Sequence, residues 1–303
     1  MDQVDNGFSV VIPVFDEEQA LRSTLDAIAK ALSFANRSYE IVVVDDGSTD
    51  ATPQILAGYK GLTVLRHAHN RGYGAALKTG IAAARHPLIV VVDADGTYPV
   101  VTIPALVTRC ANADMVVGAR VGSEVHSTPA RGAVKWCFRQ FAQWITGAAI
   151  PDLNSGLRVF RRTIAERFLS LLPDGFSFTT TITVASLAEQ LVVYFEPVDY
   201  KTRIGRSKIR PLRDTARIGK QLIRLGIHLS PWRTSLVFCA PLALVGIGLA
   251  VDHLHAGVAV GGAAQMWGIA AAVVGGFGWC AERRVRRRRD GSANLMPARH
   301  PLG

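Results

Sequence analysis

Leu88-Ile-Val-Val-Val-Asp93-Ala94-Asp95-Gly96 is an aliphatic run that stops in two carboxylates one residue apart. An unbroken aliphatic run after Pro87 suits a strand buried on both faces, in the middle of a parallel sheet covered by helices. Ligands of such sheets gather beyond the carboxyl ends of the strands. Asp93 and Asp95 fall there, and Gly96 lets the backbone turn away closely beneath a ligand. Oxygen-only ligands suit Mg²⁺ or Mn²⁺, ions that keep some waters and spend the rest of their shell on phosphates. Asp-x-Asp is also what a strand followed by a solvated turn looks like, so the neighbouring segments decide.

Upstream, Phe8-Ser-Val-Val-Ile-Pro-Val-Phe15 is closed by Asp16-Glu-Glu18, and Ala20, Leu21, Thr24, Leu25, Ile28 and Leu32 follow at helical spacing. Tyr39-Glu-Ile-Val-Val-Val44 reads as a second strand, ending in Asp45-Asp46-Gly47-Ser48-Thr49-Asp50 before a helix over 51–59. Leu62-Thr-Val-Leu65 is a short third strand, with Asn70-Arg-Gly-Tyr-Gly74 and an Ala-rich helix after it. Beyond the opening strand, Asp114-Met-Val-Val-Gly-Ala-Arg120 is another. Strands alternating with helices at this spacing predict a doubly wound, mainly parallel α/β sheet. Three strand exits, at Asp16, Asp45 and Asp93, then bring carboxylates to one sheet edge. The Gly-x-Gly-x-x-Gly of a dinucleotide fold is absent after the first strand, as is a P-loop ending in Gly-Lys-Ser/Thr, which counts against hydride transfer.

These residues resemble the inverting glycosyltransferases of family 2, which have the GT-A fold, and within them the branch of dolichol-phosphate mannose synthases and bacterial polyprenyl-phosphate glycosyltransferases. Pro13-Val-Phe15-Asp-Glu17-Glu18 looks like the family's first nucleotide-contacting loop, Asp45-Asp46-Gly-Ser-Thr-Asp50 its base-binding loop and Asp93-Ala-Asp95 its metal motif. The resemblance continues through Gly118-Ala-Arg120, Asp152-Leu-Asn-Ser155-Gly-Leu-Arg158 and Arg203-Ile-Gly-Arg-Ser207-Lys208, and covers residues 8–210. It implies a nucleotide-sugar donor, UDP- or GDP-hexose, with Pro13, Phe15, Glu17, Asp45 and Asp46 on the donor, Asp45 near the base, and Asp93 and Asp95 on the metal-diphosphate. Two positions depart from the pattern. Thr97 stands where a Gln is common, and Phe15-Asp16 replaces the phenolic or amide residue before the Glu of the first loop, leaving Glu17 as the polar contact.

The acceptor chemistry follows from elementary considerations. A phosphate monoester has a second pKa of about 6, so near neutral pH it is largely dianionic and already nucleophilic. Such a site needs cations to attract and orient it rather than a strong base. Arg120, Arg131, Ser155 and Arg158 are assigned to the acceptor phosphate, and Arg203 with Lys208 to the donor diphosphate. Asp95, Arg120 and Asp152 form the catalytic set, Asp152 being the spare carboxylate if a base is required. Gly175-Phe-Ser-Phe-Thr-Thr-Thr-Ile-Thr183 mixes rings with hydroxyls and reads either as an acceptor path or as a helix start capped by Ser177 or Thr179.

Charge is unevenly spread: of 34 Lys+Arg and 24 Asp+Glu, 17 and 4 respectively lie beyond residue 200. Hydrophobic runs in that same third favour an anionic membrane surface over nucleic acid as its partner. Residues 211–233 alternate Leu212, Ile218, Leu222, Ile223, Leu225 and Ile227 with Arg213, Arg217, Lys220 and Arg224, the pattern of an amphipathic interfacial helix. Residues 234–282 hold two nearly uncharged runs, 235–251 and 256–280, joined by Asp252-His-Leu-His255. Both are long enough for a transmembrane hairpin, the first narrowly, since a span takes about 17 to 25 residues. The alternative is a pair of buried helices in a soluble domain. Basic residues 283–289 follow the second run, so the positive-inside rule places both ends and the 1–210 catalytic domain in the cytoplasm, and 283–303 as a basic tail. The polar, acidic start is unlike a signal peptide. The small residues Gly257, Gly261 and Gly262 permit close packing and a homo-oligomer, and the scattered cysteines read as packing residues in a reducing compartment.

The expectation is an inner-membrane enzyme that moves a hexose from a nucleotide sugar to a polyprenyl phosphate. Transfer to another lipid or a polysaccharide, and a nucleotide-sugar-binding scaffold without turnover, are the alternatives.

Overall fold

Aliphatic runs that bury both faces must lie between layers, and in the computed structural model, which describes residues 7–33, 35, 37–121, 129–203, 211–256 and 262–293, they do. The sheet has seven strands: β1 (Phe8–Val14), β2 (Tyr39–Asp45), β3 (Leu62–Arg66), β4 (Leu88–Val91), β5 (Met115–Val121), β6 (Arg158–Arg161) and β7 (Val193–Asp199). Their order is β3-β2-β1-β4-β6-β5-β7. All run parallel except β6, which is antiparallel to both β4 and β5. Val10, Val11, Ile12, Val42, Val43, Val44 and Ile89 to Val92 are fully buried in the central strands, whereas edge strand β3 leaves Val64 exposed. The sequence reading missed β6, only Arg-Val-Phe-Arg, and β7, whose Pro197 and acids obscure the alternation. Proline is tolerated in β7 because it is an edge strand.

The helices of this layer are α1 (Leu21–Leu32), α2 (Thr52–Ala57), α3 (Tyr73–Ala83), α4 (Ile103–Arg109), α5 (Pro129–Thr146), α6 (Arg162–Arg167) and α7 (Phe178–Ala188). Helix α1 buries Leu21, Thr24, Leu25, Ile28 and Leu32, the face its spacing predicts. Each large aliphatic there contributes about 1.5–3 kcal/mol by leaving water. Register decides what the sheet edge presents. Val14 pairs with Asp45 and Val11 with Val91, so the loop after β1, the loop after β2 and Asp93 all emerge on one side.

The chain divides into two compact units, residues 1–143 with 148–222, and residues 144–147 with 223–303. The division falls inside α8 (Pro211–Leu229). Leu222, Leu225 and Leu229 are buried, while Ile223 and Ile227 are exposed beside Arg217, Lys220 and Arg224. Next come α9 (Pro231–His255) and α10 (Gly262–Ala293). Asp252 to His255 is not a turn, as the sequence suggested, but the last turn of α9. Gly257 and Gly261 lie outside the described residues. Spans at Pro231–His255 and Ala264–Val285 are long and apolar enough to cross a membrane, and only 22% and 11% of their apolar windows are buried. A soluble core pair would bury most of that surface. The two helices meet through small residues: Gly246 backs onto Trp267, Gly275 onto Cys239 and Gly278 onto Ser235.

Candidate active site

Asp93 and Asp95 leave β4 at the centre of the carboxylate edge. Burial and the neighbouring Asp95 charge push Asp93 up to about 6, opposed by a hydrogen bond from Tyr73 and the charges of Arg203 and Arg120. The Tyr73 hydroxyl donates to Asp93 Oδ1 at 2.8 Å. Asp95 is 5% exposed, and Thr97 donates to its Oδ1 twice, from the hydroxyl at 2.6 Å and the backbone N–H at 3.1 Å. Thr97, the departure from the family pattern, therefore serves to orient Asp95. Gly96 takes φ +74°, the turn expected of it. Beneath the pair, Gly156 lies so close that a Cβ there would strike the Asp93 carboxylate. Only glycine fits this cradle.

The donor set suits a divalent ion. Its ligands are oxygens, and a dication would relieve the repulsion that raises Asp93. Among the described residues no group of three His, Cys, Asp or Glu side chains is arranged to hold a metal ion by itself. Water and phosphate would complete the shell, which is how Mg²⁺ is ordinarily held.

The loops after β1 and β2 are stitched into one wall. The N–H of Asp16 donates to Ser48 Oγ (2.9 Å), that of Thr49 to Asp16 Oδ1 (2.8 Å), and that of Glu17 to Thr52 Oγ1 (3.0 Å). Glu18 crosses the same seam twice, its N–H donating to Asp50 Oδ2 and its Oε2 accepting from the Ala51 N–H. Asp16 adopts φ +51°, an uncommon conformation for a residue with a side chain. Pro13 is buried within β1, and Phe15 stands half-buried at the head of the loop. Asp45 is 1% exposed, takes a bond from the Ser48 N–H (2.8 Å) and pairs with Arg66 (3.1 Å). It is the buried Oδ2 that Arg66 Nε approaches. Asp46 is committed elsewhere. It accepts from Arg71 and Gly72 backbone N–H groups (2.9 and 2.7 Å) and contacts His67 Nδ1 at 2.6 Å. Both oxygens of Asp46 already accept bonds from the protein, so the donor contact expected of it would have to share them.

Arg203 spans the site, pairing with Glu17 and, at 3.2 Å, with Asp95. It thus lies across the carboxylates to which a metal-diphosphate was assigned.

On the far side of Asp93 the expected acceptor residues differ among themselves. Arg120 grips Asp152 in a fork, Nε to Oδ2 at 2.7 Å and Nη2 to Oδ1 at 2.8 Å. Burial works to raise Asp152, but the bond and charge of Arg120 outweigh it and hold the carboxyl below its ordinary range. Asp152 is not spare, and a lowered carboxyl makes a poor base. Ser155 is fully buried and donates to the Gly118 carbonyl (2.5 Å). Arg158 is also fully buried, donating to the Ser155 carbonyl, Thr179 O (3.0 Å) and Thr183 Oγ1 (3.1 Å). Both were assigned to the acceptor phosphate, and neither side chain reaches the surface. Their bonds instead fix the turn that carries Gly156. The hydroxyls after Phe178 follow suit: they belong to α7, where Thr180 contacts Asn154 Oδ1 (2.5 Å) and Thr183 holds Arg158. The helix-start reading of that stretch holds, although Ser177 makes no side-chain cap. The side chain of Arg131 and all of Lys208 lie outside the described residues.

Two tyrosines escaped the sequence reading. Tyr98 OH accepts from the Gly156 N–H (2.7 Å), and burial raises its hydroxyl above its ordinary value. Tyr73 sits at the start of α3. The available signal was the Asn70-Arg-Gly-Tyr-Gly74 loop itself, which follows a strand as the acidic loops do.

Comparisons with known proteins agree with this geometry. The family described as Glycosyl transferase family 2 matches residues 9–169. A Haloferax volcanii protein named dolichyl-phosphate hexose transferase is 29% identical over 219 residues, 72% of this chain and 92% of that one. A Drosophila melanogaster dolichyl-phosphate beta-glucosyltransferase is 28% identical over 76% of this chain and 78% of its own. A Pseudomonas aeruginosa undecaprenyl-phosphate 4-deoxy-4-formamido-L-arabinose transferase is 35% identical over 58% and 56%. In fold the chain is similar to glucosyl-3-phosphoglycerate synthase from Mycobacterium tuberculosis, solved with Mn²⁺ and UDP, at TM-score 0.54 and 22% identity over 73% of this chain and 78% of that one.

Proposed function

The chain belongs to glycosyl transferase family 2, and from that premise we propose that it moves one hexose from a nucleoside-diphosphate sugar to a polyprenyl phosphate at the cytoplasmic face of a membrane. The observation that carries the reading is the Asp93–Asp95 pair at the edge where three parallel strands deliver their loops. Asp93 and Asp95 would hold Mg²⁺ or Mn²⁺, which when bound offsets the charge of the departing nucleoside diphosphate. Asp45 supports a nucleotide donor, because its carboxylate is held 1% exposed at the head of the loop after β2, fixed by the Ser48 N–H and by Arg66 where a nucleobase N–H could meet it. Arg203 supplies positive charge between Glu17 and Asp95, where the diphosphate would lie.

The acceptor dianion attacks the anomeric carbon, the bond to the diphosphate oxygen breaks, and configuration inverts. No proton need be removed from it. The engagement of Asp152 by Arg120 is consistent with that economy, and Arg120, 24% exposed at its side chain, is the cation best placed to meet the acceptor phosphate. A lipid acceptor also accords with the names of the relatives and with a hairpin whose apolar surface is largely uncovered.

The test is nucleoside-diphosphate release by detergent-purified protein over a panel of UDP- and GDP-sugars, with Mg²⁺ or Mn²⁺, with and without undecaprenyl phosphate. Release that requires the lipid, and that drops at least about a hundredfold in Asp95→Ala, is the expected result. Release without lipid dependence would transfer the reading to another acceptor. Binding of nucleotide with no turnover on any lipid would leave a scaffold.

A further inference from the structure

Resting on that reading of Asp93 and Asp95, we propose that Tyr73 is a positioning residue for the metal site: its hydroxyl fixes the Asp93 carboxylate in the orientation that receives the ion.

Asp93 has few means of its own to stay put. It follows the last residue of β4 by two positions, and its side chain must hold one rotamer against Asp95. Gly156 closes one side of the carboxylate by backbone approach, and Tyr73 closes the other with the 2.8 Å bond to Oδ1. A carboxylate ligand held by an outer hydrogen bond loses less freedom on binding an ion, and such partners commonly matter about 10- to 100-fold in metal affinity.

Tyr73 is itself held from two directions, neither of which its local sequence requires. Asp46, at the exit of β2, captures the backbone of Arg71 and Gly72 and so sets where α3 begins. The Tyr73 ring stacks on Phe176, centroids 5.5 Å apart and planes 22° apart. The start of α3 is also tied to that second loop by the Ala75 N–H, which donates to Asp174 O at 3.1 Å. Two loops from distant parts of the chain therefore converge on one side chain, whose only polar atom is aimed at Asp93. The arrangement also gives Asp46 a purpose: it serves the donor site through Tyr73.

The decisive variant is Tyr73→Phe, which keeps the ring on Phe176 and removes only the hydroxyl. Mn²⁺ affinity of the full detergent-purified chain, measured by electron paramagnetic resonance with and without UDP, is expected to fall about tenfold, with the thermal midpoint unchanged. Tyr73→Phe that binds Mn²⁺ as tightly as the parent, with only Tyr73→Ala impaired, would overturn the proposal and make Tyr73 a packing residue. Asp95→Ala runs alongside. If it weakens Mn²⁺ binding while Tyr73→Phe does not, the inference about Tyr73 alone fails; if neither weakens it, the metal reading of the site fails with it.

Discussion

A buried charge is tolerated only when its partners are in place, and Arg120 with Asp152 shows the consequence at the scale of single residues. Their fork leaves the Asp152 side chain 11% exposed. Because the folded protein holds this carboxyl below its ordinary range, the folded state binds the proton less readily than the unfolded one. The stabilisation is therefore fully present at neutral pH and is lost as pH falls through the ordinary carboxylate range and below it. Arg120→Ala is expected to lower stability by roughly 2 kcal/mol near pH 7, read as a drop in thermal midpoint, and to flatten the loss on acidification. An acid limb of the same steepness in the variant would show that the pair does not control it. Arg158 makes a related point with the opposite sign. Burial pulls its guanidinium below the ordinary arginine value, and its contacts with the Ser155 and Thr179 carbonyls hold the turn under Asp93.

At the scale of elements, the loops after β1 and β2 act as one piece. Each donates backbone N–H groups to the other's side chains, so neither holds its conformation alone. Thr52, at the first position of α2, is the most buried part of this seam at 0% exposure, and it receives the Glu17 N–H. Thr52→Val keeps the shape and removes the acceptor, leaving that N–H unpaired. About 1–2 kcal/mol of stability should be lost. UDP affinity by titration calorimetry should fall with it, because Glu17 and Asp45 would lose their common frame. Unchanged affinity would separate the seam from the donor site. Helix α8 teaches a different lesson. Its sequence has the interleaving of an interfacial helix, and in the fold Leu222, Leu225 and Leu229 are buried by the protein while Ile223 and Ile227 stay outward with the basic residues.

For the molecule as a whole, the question is what covers the apolar surface of α9 and α10. Leu244, Ile247 and Leu254 on α9, and Met266, Ile269 and Phe277 on α10, are all more than half exposed. A patch of this kind is stable only against lipid or another apolar surface. Leu244→Arg, at a site 68% exposed, would cost about 2.5–3.5 kcal/mol if it sat at the centre of a bilayer. The expected outcome is a marked loss of protein from the carbonate-resistant membrane fraction. A variant that stays fully membrane-integrated would mean that Leu244 does not face lipid.

The sequence by itself determined what depends on short-range pattern. Period and burial of the strands at 8–15, 39–44 and 88–92, the face of α1, the acids at the strand exits and the length of the apolar runs are all properties of neighbouring residues, and the side-chain periods of strand and helix expose them directly. The family resemblance rested on the same local motifs. What the tertiary structure decided is which polar groups are already satisfied. Nothing near Asp46, Asp152, Ser155 or Arg158 in the chain says that their partners lie at Gly72, Arg120, Gly118 and Thr179, 26 to 37 residues away in three of these pairs and 21 in the last. A hydrogen bond has a reach of about 3 Å and takes no account of sequence separation. The chain can list its charged groups, but only the folded sheet, with β6 inserted between β4 and β5 and Tyr73 brought over Asp93, separates those that hold the site from those that face a substrate.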